Sequence, residues 1–404
     1  MGDHDVPFVG NNLSKKNIAI LISGGIAAIK APSIVRSIRR FGANVTAFVS
    51  EEALNYTTVR SLEWATTNRV VTKLTSESEH LHKNQPFDAY LIAPATYNTI
   101  NKFAGGIADG VLTATLAAAL GLTEKRRAKI ICIPTMHGDM HNSILTENIE
   151  KLQKKGVRFM QPRDAYGKHN IPSSSDIAHF LCRELSDSPL KGIPILVTAG
   201  PTPVELDKVR IISNVFKGTL GIKIAEQLWL KGAQVQLILG RGLVQTNMSL
   251  PTIRIRTFDE YRKAVLDILS SSPFTYGVFC AAVADYRPIQ SFEGKIPSKK
   301  ERLTIDLVPT TKIIDEVQVR FPQCNIISFK LEVGASIDEL RRISKDRISR
   351  GHLAVVANEF SHTQGDKHIA YLFSEVDDEK VVSGKKEIAE AVMELIEDHL
   401  RKPS

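Results

Sequence analysis

Four chemically active side chains follow one small-residue turn near the middle of the chain. The stretch from Val197 to Asn214 reads VTAGPTPVELDKVRIISN and contains an acid, two bases and an amide: Asp207, Lys208, Arg210 and Asn214. The turn TAGPT leaves its main-chain N–H groups clear of bulky side chains, which favours contact with a phosphate. An apolar run over 193–197 precedes the turn and predicts a buried strand. Polar groups just past the carboxyl end of such a strand are where open α/β sheets usually bind ligands.

The rest of the chain alternates apolar runs with helical patterns, which predicts an α/β fold with two doubly wound, Rossmann-like domains. In the first half we expect strands over 17–22, 45–49, 89–93 and 130–133, a helix over 26–40 and one long helix over 98–120. In the second half we expect strands over 193–197, 234–239, 277–283, 325–331, 353–357 and 369–373, and helices over 218–231, 258–270, 337–349 and 385–400. Because no Gly-x-Gly-x-x-Gly is present, a nicotinamide dinucleotide is not indicated.

Polar, proline-bearing residues mark the predicted domain boundary. We expect a flexible leader over 1–15, a first domain over 16–184, a linker over 185–191 and a second domain over 192–404. The leader has no apolar stretch of the kind that a secretory signal requires.

Composition narrows the class of protein. The chain has 404 residues, of which 43% are hydrophobic and 24% are charged, as in soluble globular proteins. No apolar run approaches the roughly 20 residues of a membrane span, and four widely spaced cysteines predict a reducing cytoplasmic location rather than a disulfide framework. The formal charge is +8, with basic residues scattered over the predicted helices, so we expect anionic small molecules as partners and neither nucleic acid nor a membrane.

The second half carries four further strings, three at predicted strand ends and one, GKIPSKK, on a predicted mobile basic loop. They are AAVADY (281–286), GKIPSKK (294–300), FKLE (329–332) and VVAN (355–358). Together with TAGPT and ISN, this order resembles the phosphopantothenate–cysteine ligases over nearly all of residues 192–404. The resemblance implies that Arg210 holds substrate anions, that Asn214 binds the acyl oxygen and that Lys295 neutralises the triphosphate. It also implies nucleotide-binding roles for Ala281, Asp285, Lys312, Phe329 and Arg350.

The first half combines a glycine turn, a Pro-Ala-Thr turn and a histidine, His80, eight residues before Asp88. A lone histidine is often structural, and this one also suits proton transfer. The strings SGGIAAIK (23–30), APATYNTINKFAGGIAD (93–109) and PTM (134–136) resemble the flavin-dependent cysteine decarboxylases. This resemblance implies a flavodoxin-like FMN-binding domain with His80 as the catalytic base. The implied FMN contacts are Ser23, Gly24, Ser50, Ala95 and Thr96.

Four positions depart from the two family patterns. His137 replaces the asparagine that clamps the substrate carboxylate, and a histidine can donate a hydrogen bond in its place, as in archaeal-type members. The substrate flap, PRDAYGKHNIPSSS (162–175), has no cysteine. In the second half, FKGTLG (216–221) and PTTKI (309–313) replace the usual nucleotide-binding strings, which leaves CTP and ATP both open.

Taken together, these resemblances imply a bifunctional enzyme of coenzyme A biosynthesis. Its ligase half would use CTP with Mg²⁺ to activate 4′-phosphopantothenate as an acyl-cytidylate, which cysteine then attacks. Its decarboxylase half would use FMN to convert phosphopantothenoylcysteine into 4′-phosphopantetheine. The resemblance also implies a homo-oligomer, trimeric or dodecameric through the first half and dimeric through the second.

Three other interpretations remain open at the level of sequence. They are a nicotinamide dehydrogenase, a flavin-binding regulator, and a ligase whose flavin domain has become an oligomerisation scaffold.

Overall fold

The computed structural model describes residues 2–81, 86–126, 128–165, 168–242, 244–290, 292–297, 302–363, 368–375 and 379–402. It divides the chain into two compact units, Met1–Ser186 and Asp187–Ser404. Both units are α/β, as predicted. Within the described residues, no helix combines the length and the apolar character needed to cross a membrane.

The first unit is built on a parallel sheet with buried strands. Its strands are β1 (Asn17–Ile22), β2 (Asn44–Val49), β3 (Ala89–Ala95), β4 (Lys129–Pro134), β5 (Met136–His137), β6 (Arg158–Phe159), β7 (Arg163–Ala165) and β8 (Lys168–Asn170). The sheet order is β2-β1-β3-β4-β6, and β5, β8 and β7 form a separate three-stranded sheet. The first order is that of flavodoxin-like folds, whose ligands bind where the order reverses, here between β1 and β3.

Helices cover this sheet. They are α1 (Ala31–Arg39), α2 (Val59–Thr66), α3 (Tyr97–Ala104), α4 (Val111–Arg126), α5 (Ser143–Lys154) and α6 (Ser174–Glu184), with 3-10 turns at Ile26–Lys30, Glu52–Asn55 and Gly138–Met140. Alternate residues of β1, such as Ala19 and Leu21, pack in one core with Ile100, Phe103 and Leu116 of α3 and α4. This period-two burial is what a strand covered by helices requires.

The second unit contains a larger mixed sheet. Its strands are β9 (Pro194–Ala199), β10 (Pro201–Thr202), β11 (Val204–Glu205), β12 (Ile211–Ile212), β13 (Gln234–Gly240), β14 (Thr252–Ile255), β15 (Tyr276–Phe279), β16 (Ala282–Val283), β17 (Tyr286–Pro288), β18 (Leu307–Pro309), β19 (Asn325–Glu332), β20 (His352–Glu359), β21 (Ile369–Ser374) and β22 (Lys380–Ser383). The main sheet runs β14-β13-β9-β15-β19-β20-β21-β22, with the last two strands antiparallel.

The six parallel strands of this sheet, counted along the chain, take the order 3-2-1-4-5-6 of dinucleotide-binding folds. The order reverses between β9 and β15, so the TAGPT turn lies at the switch point. The helices are α7 (Thr219–Leu230), α8 (Phe258–Ser271), α9 (Ile313–Arg320), α10 (Ile337–Ser349) and α11 (Lys385–Arg401), and Phe360–Thr363 forms a 3-10 turn. One face of β9 (Ile195, Val197) packs with the core that includes α7 and α11, and the other face (Leu196) packs with that of α8 and α9.

The leader is a correction to the sequence prediction. Leu13 is fully buried and Val6 is 5% exposed. Asp3 accepts a hydrogen bond from Arg36 Nε at 2.6 Å, and its N–H donates to Trp64 O at 2.8 Å. Apolar side chains and an ion pair therefore attach this segment to α1 and α2, although its polar composition suggested a detached leader.

Two predicted elements are interrupted. The helix expected over 98–120 is two helices, α3 and α4, because Gly106 adopts a left-handed conformation (φ 73°) after α3 ends. The strand expected over 277–283 is split into β15 and β16, since the Ala282 N–H leaves the main sheet to donate to Gly200 O at 2.9 Å. This break brings β16 beside β10, which forms the last two residues of the TAGPT turn.

The predicted linker belongs partly to the second unit. Leu190 is fully buried in the core of that unit, and Ser188 Oγ donates to Glu397 Oε1 of α11 at 2.5 Å. Its residues from Asp187 onward are therefore part of the packed unit.

Candidate active sites

In the first unit, a buried serine joins the two strand ends at the switch point. Ser23 Oγ donates to Pro94 O at 2.6 Å and accepts from the Thr96 N–H at 3.2 Å. Ser23 is 2% exposed, and Ala95 is fully buried at the end of β3. These two predicted FMN contacts therefore lie behind the turn, where they fix its shape.

A cavity of about 1010 Å³ opens in front of this turn. Gly24, Ser50 and Thr96, which were predicted to contact FMN, line it together with Thr135. A side chain at Gly24 would place its Cβ 2.4 Å from Glu52 Cβ, so the main chain at this turn has no room for one. The cavity is thus bordered by hydroxyl groups and bare main chain, which suits a phosphate-bearing ligand.

Sequence reasoning missed an ion pair on the same cavity. Lys102 Nζ lies 2.6 Å from Asp109 Oδ2, and both residues line the cavity. Thr113 Oγ1 also donates to Asp109, at 3.1 Å. Hydrogen bonds from Lys102 and Thr113 lower the pKa of Asp109, and the bond from Lys102 has the larger effect. Both residues belong to the string 93–109 that carried the resemblance, and that string was the available signal.

The two predicted catalytic histidines do not line this cavity. His80 Nδ1 is buried and makes no hydrogen bond within the described residues, and its neighbour Glu79 accepts two bonds from Thr75. His137, on β5, is exposed and has its Nδ1 3.1 Å from Asp139 Oδ2. The structure brings neither histidine to the residues that hold the strand-end turns, and their catalytic roles stay predictions.

In the second unit, the TAGPT turn is fixed by close main-chain packing. Gly200 has φ 80°, and its Cβ position lies 3.2 Å from Gly240 N. A Cβ on Gly240 would come within 1.9 Å of Pro201 O. Thr198 Oγ1 accepts from the Ala281 N–H at 3.3 Å, and Thr202 Oγ1 accepts from the Ala284 N–H at 3.0 Å. The two threonines of the motif therefore bind the neighbouring strand end.

A second cavity, of about 820 Å³, lies over this turn. Five of the predicted site residues line it: Asn214, Ala281, Asp285, Lys312 and Phe329. Asn214 Nδ2 donates to Ala282 O at 3.0 Å and to Val283 O at 3.2 Å. Asp285 and Lys312 form an exposed ion pair at the rim. The structure thus gathers residues from four separate segments at one site.

Arg210 belongs to a network centred on Asp207. Arg210 Nη1 donates to Asp207 Oδ2 at 2.6 Å and to Ile296 O at 3.2 Å. The Asp207 carboxylate also accepts from the main-chain N–H groups of Ile296, Val209 and Arg210, at 3.0, 2.7 and 2.6 Å. These bonds, with that from Ile296 largest, lower the pKa of Asp207 to about 2 against the effect of burial. Asp207 therefore ties the motif to the loop that carries Lys295.

Lys295 and Arg350 lie away from the lining of this cavity. Lys295 is exposed, and the flanking Ile296 is 3% exposed, so the loop is anchored at this point. The predicted basic residues Lys299 and Lys300 lie outside the described residues. Arg350 is exposed and forms an ion pair with Asp346 at 2.8 Å.

An arginine one helical turn earlier, Arg347, lines the cavity instead. Its Nη1 donates to Ser328 Oγ and to Phe329 O, each at 3.2 Å. Sequence reasoning missed it because α10 carries several arginines, and only the hydrogen bonds to β19 distinguish Arg347 from the others. Phe216 and Phe360, whose rings meet edge to face at 6.4 Å, also line the cavity.

Comparison with known proteins covers both units. Residues 9–186 match the family described as Flavoprotein, and residues 190–400 match the DNA/pantothenate metabolism flavoprotein C-terminal domain. A protein named coenzyme A biosynthesis bifunctional protein CoaBC, from Thermococcus kodakarensis, is 37% identical over 85% of each chain. One of the same name from Methanocaldococcus jannaschii is 30% identical over 95% of this chain and 94% of its own.

A solved structure is also similar to part of this chain. The DNA/pantothenate metabolism flavoprotein from Streptococcus pneumoniae is 27% identical and covers 52% of this chain and 100% of its own, with a TM-score of 0.46. Each family match covers one unit, and the two relatives extend over both halves of the chain. The chain belongs to the CoaBC family of bifunctional coenzyme A biosynthesis enzymes, with a flavoprotein decarboxylase half and a ligase half.

Proposed function

We propose that the second unit joins 4′-phosphopantothenate to cysteine at the expense of CTP. The substrate carboxylate attacks the α-phosphorus of CTP, which releases pyrophosphate and forms an acyl-cytidylate. The cysteine amine then attacks the acyl carbon and CMP leaves. The observation that carries this proposal is the convergence of Asn214, Ala281, Asp285, Lys312 and Phe329 on one cavity at the switch point.

Each residue has a proposed part in these steps. The TAGPT turn and Lys295 hold the triphosphate, and Arg210 holds substrate anions. Asp285 releases its ion pair with Lys312 and accepts a hydrogen bond from a ribose hydroxyl instead. Asn214 donates to the acyl oxygen as negative charge develops there. Because both bonds of its amide nitrogen now go to main-chain carbonyls, one of them must be released when substrate binds.

Magnesium would arrive with the nucleotide. Among the described residues, no group of three or more His, Cys, Asp or Glu side chains could hold a metal ion. Mg²⁺ is commonly held by substrate phosphates and water with few protein ligands. We therefore propose that the CTP phosphates supply most of its coordination.

Asn214→Asp tests the ligase mechanism. Loss of one donor to a developing oxyanion costs about 10²–10³ in rate, so we expect amide formation to fall by this factor while acyl-cytidylate accumulates. The new carboxylate would also face Ala282 O and Val283 O, so thermal unfolding must be measured in parallel. Normal turnover in a stably folded variant would remove Asn214 from the mechanism.

For the first unit, we propose FMN-dependent decarboxylation of phosphopantothenoylcysteine. This proposal is supported by a cavity of about 1010 Å³ that Gly24, Ser50, Thr96 and Thr135 border. When bound there, FMN would supply reversible two-electron redox chemistry, and oxidation of the cysteine portion makes its carboxylate easy to expel. His80 would act as the catalytic base and take a proton from the substrate. His137 would hold the substrate carboxylate.

The second candidate for the first unit is a scaffold role without decarboxylase activity, which the absence of a flap cysteine favours. Histidine variants distinguish the two. With phosphopantothenoylcysteine supplied, His80→Asn should abolish carbon dioxide release. His137→Asn, which restores the usual residue, should retain it, and His137→Ala should lose it. No carbon dioxide from flavin-loaded wild-type protein would leave the scaffold role standing.

The cellular location and the assembly of the protein stay proposals. Among the described residues no disulfide joins the four cysteines, and three of them are buried, which supports a reducing, cytoplasmic location. Homo-oligomerisation through each half is likewise proposed from the family resemblance.

A further inference from the structure

The second cavity contains a cation that lacks a counter-ion. Arg347 is half-buried, and its Nη1 is held by two neutral acceptors, Ser328 Oγ and Phe329 O. In the part of the chain that the structure describes, no carboxylate lies within ion-pair distance of it. Two nearby arginines differ, since Arg341 of α10 pairs with Glu379 and Arg350, just after the helix, pairs with Asp346.

The nearest carboxylates compensate the charge of Arg347 only in part. Burial lowers the pKa of Arg347, and the more distant Asp315 and Glu332 offset this effect incompletely. A partly desolvated guanidinium without a counter-ion is costly unless a ligand supplies acceptors. The position therefore favours a ligand with hydrogen-bond acceptors in this part of the cavity.

Ser328 and His352 fix the orientation of the Arg347 guanidinium. Ser328 is fully buried, and its Oγ lies 2.8 Å from Nδ1 of His352, which is 4% exposed. This buried pair fixes the oxygen that accepts from Arg347. Because Nη1 takes both bonds, Nε and Nη2 remain as two parallel donors on a residue that lines the cavity.

The order of strands places Arg347 at one end of the proposed nucleotide. The TAGPT turn follows β9, Asp285 follows β15, and Arg347 is bonded to Phe329 of β19. These three strands are consecutive neighbours, roughly 4.8 Å apart. With the triphosphate at the turn and the ribose at Asp285, as in the proposed function on which this inference rests, the base lies at β19. Phe216, Phe329 and Phe360 line the same cavity and supply aromatic side chains there.

We propose that Arg347 reads the base of the nucleotide and makes the ligase selective for CTP. Cytosine presents two adjacent acceptors, O2 and N3, that match two parallel guanidinium donors. In uracil N3 carries a hydrogen, and in adenine the acceptor N1 lies beside an amino group. CTP therefore gains two bonds from Arg347, whereas UTP and ATP gain at most one.

Equilibrium binding of CTP, UTP and ATP to the full chain, with Mg²⁺, tests this assignment by calorimetry. A good bidentate contact discriminates between bases by about tenfold to a hundredfold. We expect wild-type protein to prefer CTP by such a factor and Arg347→Met to lose the preference. Arg347→Lys keeps the charge without the planar fork and should also lose it. Arg342→Met, which changes another arginine of the same helix that does not line the cavity, should bind as wild type does.

Several results would overturn the proposal. Equal losses of CTP and ATP affinity in Arg347→Met would mark a phosphate contact or a structural role. Retained CTP preference in Arg347→Lys would exclude recognition by the fork, and so would a wild-type preference for ATP. Thermal unfolding of each variant identifies loss of fold. Tight, selective CTP binding without amide formation would instead refute the proposed ligase reaction and leave the role of Arg347 intact.

Discussion

At the scale of single residues, Asp207 is the clearest link between the central motif and the loop of Lys295. Its buried carboxylate accepts from three main-chain N–H groups and the Arg210 guanidinium. An alanine at Arg210 would remove only the last of these bonds. The motif's acid is therefore structural in this fold, although its position beside two bases suggested chemistry.

The low pKa of Asp207 predicts how stability depends on pH. The pKa is about 2 in the folded protein and about 3.9 in an unfolded chain. The stabilisation is therefore fully present above about pH 4 and is lost as the pH falls toward 2. We expect Asp207→Asn to unfold at lower urea concentration than wild type at pH 6, with a difference that shrinks from pH 4 downward. A difference that stays constant to pH 2.5 would contradict this account.

A second titrating residue, His352, acts over a higher pH range. Burial, with the nearby charge of Arg347, lowers the pKa of His352 to about 4, whereas the unfolded value is about 6.5. The folded state thus favours the neutral ring. The free energy of unfolding therefore falls by on the order of 3 kcal/mol as the pH drops from 6.5 to 4. His352→Gln cannot titrate, so its unfolding free energy should show a flatter slope over this range. Parallel slopes would exclude His352 as the cause.

At the scale of elements, the turn after β9 depends on a glycine in another strand. Gly240 ends β13, and a Cβ there would come within 1.9 Å of Pro201 O. We expect Gly240→Ala to displace the turn, to destabilise the second unit by at least about 1–3 kcal/mol and to weaken CTP binding. Gly121→Ala is the control, because nothing lies within 4 Å of that Cβ position. Unchanged CTP affinity in Gly240→Ala would show that the turn does not hold the nucleotide.

The sequence predicted elements better than it predicted their interruptions. The apolar runs placed the central strands of both sheets within about two residues, because buried parallel strands need continuous apolar side chains. The break between β15 and β16 was not predictable, since it arises from a bond between Ala282 and Gly200, far apart in the chain. The choice of Arg347 over Arg350 likewise depends on long-range bonds, those from Arg347 to Ser328 and Phe329 of β19.

At the scale of the whole molecule, the separability of the two units depends on where the chain is cut. Ser188 and Leu190 belong to the packed second unit, so the predicted start at Gly192 would remove a buried leucine. Loss of such a side chain costs about 2–5 kcal/mol. We expect fragment 187–404 to fold and form the amide without flavin, and fragment 192–404 to unfold at lower temperature. Equal melting temperatures of the two fragments would contradict a domain boundary at Asp187.

If one chain catalyses two consecutive reactions, a single time course should show the products of the first reaction before those of the second. Full-length protein loaded with FMN receives 4′-phosphopantothenate, cysteine, CTP and Mg²⁺, and four products are followed by chromatography and gas analysis. We predict that CMP and phosphopantothenoylcysteine appear first in equal amounts, and that carbon dioxide and 4′-phosphopantetheine then rise as the intermediate falls. Phosphopantothenoylcysteine that accumulates without carbon dioxide, or an absence of CMP, would contradict the account.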